Sequence, residues 1–280
     1  MMTTKRRIGL VGFGKLGQFI AEAVLNDEAI SANYELAFVW NRNQAALEGT
    51  IPAELQLENL GDFASRKPDV IVEVAHPAIS KEYGTQFLDF CDYMVGSPTA
   101  FATLEIEQTL RAAAAKPNGN GLYVPRGALP GLEEVLRMVE SGKLAAASIA
   151  MHKHPSSLKF GGVLNPPLSE TTAERVIYNG PLRKLCVLAP NNVNTMAVLA
   201  MASELGFDAV QASLVADPSL EHHITEVKLF GPDDGGPRYC LTLNRESPAG
   251  PGAVTSTATL TSFLKSALGS QGRGDGVYFV

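Results

Sequence analysis

The chain has 280 residues, enough for one large or two ordinary domains of roughly 100–200 residues each. Hydrophobic residues make up 45% and charged residues 19%, a globular balance that excludes wholesale disorder. No apolar run approaches the roughly 20 residues of a membrane-spanning helix. A net charge of −6 argues against a protein built to coat nucleic acid or anionic lipid.

The three cysteines, Cys91, Cys186 and Cys240, are far apart and form no CxxC or zinc spacing. A reducing compartment with inert thiols is expected. The basic start, with Arg6 and Arg7, is followed by only a short apolar segment before glycines interrupt it, too short for a signal-peptide core. The cytoplasm is the expected location, with no nucleic-acid or membrane partner.

The first half alternates short apolar strands with helical spacing. Residues 8–11 read as a strand and 15–25 as a helix, with Leu16, Phe19, Ile20, Ala23 and Val24 at three- and four-residue intervals. Strands follow at 36–40, 70–75, 93–96 and 122–124, with helices at 80–90 and 104–115. Alternation of this kind implies βαβ units and a parallel sheet. The apolar VIVEVA at 70–75 suits a strand covered on both faces.

After the turn-forming KPNGNG at 116–121 the pattern changes. A helix is expected at 132–140, an apolar run at 144–154, a Pro/Ser-rich loop at 155–169 and a strand at 175–178. Then come a helix at 192–205 and strands at 209–216, 223–230 and 239–244. This is an α+β pattern with a mostly open sheet. Residues 255–268 read as a tail helix with Leu260, Phe263, Leu264 and Leu268 on one stripe. The expected division is 1–125 with 250–280 as a dinucleotide-binding domain, and 126–249 as a catalytic domain.

The sharpest motif is Gly12-Phe13-Gly14-Lys15-Leu16-Gly17, directly after the first strand and opening the first helix. In that context it is a dinucleotide-binding pattern. Gly12 permits the tight turn, Gly14 admits the pyrophosphate to the backbone, and Gly17 lets helix and strand pack closely. The helix N-terminus offers N–H groups and the positive end of a dipole. An NAD-specific site usually carries Asp or Glu after the second strand. Here the chain reads Trp40-Asn41-Arg42. No carboxylate repels a phosphate and Arg42 can pair with one, which tilts the expected cofactor toward NADP, with NAD as the alternative.

GFGKLG, the EVAHP at 73–77, GSPTA at 96–100, RGAL at 126–129, NNVNT at 191–195 and VADPSLEHH at 215–223 together resemble the L-aspartate dehydrogenase family, across nearly the whole chain. The resemblance implies a Rossmann domain, an inserted α+β catalytic domain whose sheet forms a homodimer interface, and a C-terminal helix returning to the first domain. It implies oxidative deamination of L-aspartate to oxaloacetate and ammonia. It places the acid/base at His223, and cofactor contacts near the nicotinamide at Ala128 and Asn192. Bacterial members usually read N-x-H where this chain has Glu221-His222-His223, so His222 competes for the catalytic role. Their Arg-Lys-Pro is Lys153-His154-Pro155 here.

Oxidising an α-amino acid requires a base to take the ammonium proton and later to activate water, a task suited to imidazole. There are five histidines. His223 begins an apolar strand after a loop, and strand alternation should aim His222 at the opposite face. His76, with Ala75 before it, ends the third strand at the sheet edge where open α/β sheets bind ligands. Two substrate carboxylates need cationic or N–H partners. Lys153, His154 and Arg126 are candidates, with Asn194 beside them; Asn192 and Asn194 could equally cap a helix. His152 and His154 form an H-x-H, but no third and fourth ligand pattern accompanies them, so no metal is expected. Two other readings stay open: a catalytically silent NADP(H)-binding sensor, and a dehydrogenase or reductase of another small amino or oxo acid.

Overall fold

The computed structural model describes residues 5–280. In chain order it runs β1 (Arg6–Val11), α1 (Lys15–Asn26), α2 (Glu28–Ser31), β2 (Tyr34–Trp40), β3 (Val70–Glu73), α3 (Pro77–Phe90), β4 (Asp92–Val95), α4 (Leu104–Ala114) and β5 (Gly121–Val124). Next come α5 (Leu132–Glu140), β6 (Ala146–Lys153), β7 (Arg175–Pro181), α6 (Leu182–Leu188), α7 (Asn194–Ala202), α8 (Gly206–Ala209), β8 (Gln211–Ala216), β9 (His222–Phe230) and β10 (Cys240–Pro248). The chain ends in α9 (Thr257–Gly269) and β11 (Gly276–Phe279). Among the described residues no helix is long and apolar enough to cross a membrane.

The chain divides into two compact units, Met1–Pro125 with Phe263–Val280, and Arg126–Ser262. Residues 250–262, expected with the first unit, group with the second. There the Ser262 hydroxyl donates to Gly127 O of the second unit.

The first unit is built on a six-stranded sheet in the order β11-β5-β4-β3-β1-β2, every pair parallel. β3 and β4 are buried at every position, as strands covered on both faces require. One core cluster joins Ile8, Leu10, Ile20, Val24, Val39, Val70 and Val72 to Phe263, Leu264, Ala267 and Leu268 of α9. The tail stripe is therefore a helix face buried on this sheet.

β11 escapes a reading of the sequence, because four residues after a glycine-rich turn carry no periodicity. Its attachment is tertiary. Asp92 accepts from Arg6 Nη2 at 2.7 Å, from Gly121 N at 2.8 Å and from Gly272 N at 2.8 Å. One carboxylate thereby ties the first strand, the fifth strand and the C-terminal segment together. β3 stops at Glu73 rather than at Ala75, because the N–H groups of Ala75 and His76 turn back to the Glu73 carboxylate.

The second unit holds a mixed five-stranded sheet in the order β10-β9-β6-β8-β7, with β6–β8 parallel and the other pairs antiparallel. β6 and β9 alternate half-exposed and buried positions along their whole length. One face is therefore covered and the other is not. α7 is buried at all but its first residue, as its unbroken apolar sequence demands. α6 was not expected from the sequence, and β10 runs on to Pro248 because its ladder with β9 continues to His222.

Candidate functional site

Candidate groups lie in both units. In the first, β1 and β3 are neighbours, and strand order reverses about β1, so their carboxyl ends form the switch point of a doubly wound sheet. The loop Gly12–Gly17 leaves β1 there, and Val74 to Pro77 leaves β3. Gly12 has φ +109°, and a Cβ on it would lie 2.8 Å from Ala75 N. A Cβ on Gly17 would lie 2.1 Å from Gly12 O, so only glycine lets α1 sit against its own loop. Gly14 has nothing within 4 Å of the position of a Cβ, and it caps α1 without a side-chain hydrogen bond. These features fit a dinucleotide: an open backbone cradle with uncapped helix N–H groups aimed outward.

The remaining cofactor candidates sort by exposure. Lys15 is exposed and Leu16 is half-buried. Phe13 is 4% exposed and belongs to the core, so only its backbone can serve a ligand. Asn41 follows β2 directly, and its Oδ1 accepts from Phe13 N at 3.2 Å, bracing the glycine loop. Arg42, beside it, is exposed. Ala75 and His76 are both exposed, and His76 Nδ1 accepts from Ala78 N at 3.1 Å as the cap of α3. His76 thus has the turn role, with its ring at the switch-point edge.

Glu73 is the member of this edge that the sequence reading passed over. It is fully buried, and Oε1 accepts from Ala75 N (2.7 Å), His76 N (2.8 Å) and Ser97 Oγ (3.0 Å). Oε2 accepts from Ser97 N at 3.0 Å. Burial pushes its carboxyl up to about 7 against those hydrogen bonds. The available signal was an acidic residue inside an otherwise apolar strand.

In the second unit the register sets the site. His223 pairs with Ser247 and Thr225 with Arg245 across β9 and β10, while Met151 pairs with Thr225 across β6 and β9. Lys153, two residues on from Met151, therefore lies on the His223 face. Its Nζ donates to Asn192 O at 3.2 Å, and no ion pair among the described residues includes it. His223 is 7% exposed, and its Nε2 is buried with no hydrogen-bond partner. His222, one residue earlier, is half-exposed on the other face, as alternation requires. Asp217, of the Ala-Asp-Pro stretch before β9, accepts from Ser219 N and Oγ at 2.8 and 2.7 Å, and Asp217 N donates to Lys153 O. That turn fixes where β9 begins.

Burial first, and the Lys153 charge second, lower His223 to about 4, with the Ala253 backbone opposing both. Burial alone brings Lys153 down to about 8. A free imidazole titrating between 6 and 8 is thus not what the fold provides. His223 is neutral through the physiological range, and Lys153 stands close to its own titration.

Other expected contacts are placed differently. Asn192 is 2% exposed; its Nδ2 donates to Ser157 O at 3.0 Å and its Oδ1 accepts from Lys159 N at 2.8 Å. The side chain stitches a loop instead of capping α7, whose cap residue is Val193. Asn194 is the first residue of that helix and is half-buried. His154 Nδ1 accepts from Ser156 N, so the histidine caps a short turn after β6 and does not continue the strand with His152. Arg126 is exposed and Ala128 half-buried, in a turn closed by Leu129 N donating to Arg126 O.

A charged, buried Lys153 with one carbonyl acceptor costs stability. Its depression from 10.5 to about 8 corresponds to about 3 kcal/mol at pH 7. Because the folded pKa lies below the unfolded one, the unfolded chain holds more protons between them, and stability rises with pH over that window. Lys153→Met should therefore unfold at a higher temperature at pH 7 and lose the rise between about pH 8 and 10.5. A lower melting temperature with the pH slope intact would contradict this account.

Comparison with known proteins accords with the two-unit arrangement. Residues 12–125 match the family model described as homoserine dehydrogenase, NAD binding domain, and residues 134–266 match aspartate dehydrogenase, C-terminal. The chain is 46% identical over 274 residues to the aspartate dehydrogenase domain-containing protein of Danio rerio, covering 97% of each. It is 27% identical over 236 residues to the L-aspartate dehydrogenase of Methanococcoides burtonii, covering 80% of this chain and 83% of that one. The crystal structure of aspartate dehydrogenase from Thermotoga maritima superposes with a TM-score of 0.68 at 20% identity, covering 96% and 98% of the two chains, which shows a shared fold. These findings support NAD or NADP as the cofactor. With a glycine cradle at one sheet edge, a buried histidine after an Ala-Asp-Pro turn, and near-half identity from end to end, the chain belongs to the aspartate dehydrogenase domain-containing family.

Proposed function

We propose that this chain catalyses NAD(P)-dependent oxidative deamination of L-aspartate, through iminoaspartate, to oxaloacetate and ammonia. The observation that carries the reading is His223 Nε2, a buried, neutral imidazole nitrogen with no partner inside the protein. An unsatisfied buried nitrogen costs free energy unless a ligand completes it. That cost also speaks against a silent nucleotide sensor, which has no use for it.

A dinucleotide cofactor would be held through its pyrophosphate by the Gly12–Gly17 loop, with Ala75 and His76 as further candidate contacts, and would supply the acceptor for the hydride on the substrate Cα. His223 Nε2 takes one proton from the substrate ammonium, leaving the amine lone pair to form the C=N bond as the hydride departs. Water then adds to the imine carbon. His223, after returning its first proton to solvent, accepts one from that water, and ammonia leaves from the tetrahedral carbinolamine. The balance is L-aspartate, oxidised cofactor and water to oxaloacetate, ammonium, reduced cofactor and one proton. Lys153 serves this chemistry in two ways. Its charge adds to burial, the larger influence, in keeping His223 unprotonated, and its Nζ offers donors to a substrate carboxylate.

His223→Ala should lower turnover about 100-fold or more, the scale of lost acid–base catalysis, while leaving cofactor affinity nearly unchanged. His222→Ala should be mild. Initial rates with L-aspartate, followed by nicotinamide absorbance, test this; a severe His222 variant beside a mild His223 variant removes the assignment.

For the cofactor, the absence of a carboxylate after β2 and the exposed Arg42 support NADP(H) binding at least as tight as NAD(H). Arg42→Ala should weaken NADP(H) selectively in calorimetric titration. A wild type that strongly prefers NAD, with the variant unchanged for NADP, would refute this.

The half-exposed face of the second unit's sheet supports a homodimer formed through residues 126–249. Sedimentation at micromolar concentration should give twice the chain mass, and a monomer there would dismiss it.

A further inference from the structure

Arg245 was not among the candidates from sequence, yet the sheet register brings it to the covered face of the second unit. It lies directly across from Thr225 and diagonally from His223. Diagonal neighbours on one face of an antiparallel pair stand about 7–8 Å apart, within reach of long side chains. Thr225 and Ser247 beside it are buried hydroxyls, at 2% and 3% exposure. On the other flank of His223 stands the buried Lys153. One imidazole therefore has a cation on either side of it.

The guanidinium is built into place. Arg245 Nε donates to Ser247 Oγ at 3.0 Å and Nη1 donates to Gly127 O at 3.2 Å. The carbonyl of Gly127 is in turn held by the Ser262 hydroxyl at 3.0 Å. Two of the five donors are used in positioning, and Nη2 with the second Nη1 hydrogen is left over. Arg126 is near enough that its like charge, after burial, holds Arg245 below the usual guanidinium range. No carboxylate among the described residues is paired with either arginine. Two like charges brought together without a counter-ion are unfavourable until an anion joins them.

We propose that Arg245, assisted by Arg126, binds the distal carboxylate of a dicarboxylic substrate and so selects dicarboxylates over monocarboxylates at the His223 site. The inference rests on the reading of this face as the substrate site. It assigns the second cation that a dicarboxylate needs, with Lys153 left for the carboxylate on the reacting carbon. The planar fork of Arg245 suits bidentate recognition of a carboxylate.

The test is a calorimetric titration of the full-length protein, saturated with NADP, using succinate and butyrate as probes. These differ by one terminal carboxylate and undergo no oxidation here, so the result does not depend on turnover. Wild type should prefer succinate. Arg245→Gln should weaken succinate about 10- to 100-fold, the scale of a lost charge-assisted hydrogen bond, with butyrate little changed. Arg245→Lys, which keeps the charge and loses the fork, should fall between, and it carries the test if the Gln variant fails to fold. Equal wild-type affinity for both probes, no succinate binding, or an unchanged succinate affinity in these variants overturns the proposal. If succinate binding depends on Arg245 while L-aspartate is not oxidised, the anion site stands and the deamination reading falls. Oxidation of L-aspartate with succinate binding indifferent to Arg245 gives the reverse.

Discussion

Cross-strand register at one end of the five-stranded sheet is the constraint on which the candidate chemistry depends. β9 is locked to β10 from His222 to Phe230 and to β6 from Ile224 to Phe230, and its buried residues alternate with half-buried ones along both ladders. That lock chooses His223 over His222 and carries Lys153, Thr225, Ser247 and Arg245 to the same face. A slip of β9 by one residue would send His223 and Thr225 to the other side, away from Lys153, Ser247 and Arg245, and bring His222 and Ile224 in. The lock is enforced from outside the site, by the apolar positions Val227 and Leu229 of the same strand, both fully buried. The Asp217 turn, bonded to Lys153 O and Ser219, prevents β9 from starting anywhere else.

The units share an electrostatic device. Glu73 in the first and Lys153 and His223 in the second are buried, and burial is the largest influence on each, moving all three toward the neutral form. Their settings differ. Glu73 is surrounded by four donors, so its carboxylate serves as a brace between the loop after β3 and the loop after β4. Lys153 has a single carbonyl and His223 Nε2 has nothing. The first arrangement is complete without a ligand and the second is not. Incomplete polar groups in a buried position mark places where packing alone would have chosen apolar residues.

Motifs that act through the backbone were legible. GFGKLG was assigned from its place after a strand and before a helix, and the close contacts at Gly12 and Gly17 supply the steric reason for glycine there. The alternating strands and helices of the first half, the apolar α7 and the amphipathic tail follow from periodicity, a local property of the chain. Side-chain roles were less legible. Asn192 was expected beside a cofactor and is a loop stitch; His154 was expected beside a substrate and is a turn cap. In both cases the polar side chain found a backbone partner within the fold, which no spacing in the sequence announces.

What the sequence by itself determined is the order and kind of most elements, the position of the glycine cradle, and the alternation that separates His222 from His223. These depend on helix and strand periods and on glycine's steric freedom, all encoded within a dozen neighbouring residues. Tertiary structure alone decided three things. It added β11 as a sixth strand through Asp92, made Glu73 at the end of β3 a buried brace between two loops, and set Arg245 beside His223 across a strand pair. Each joins residues distant in sequence, where a side chain's charge state and partners depend on what surrounds it after folding.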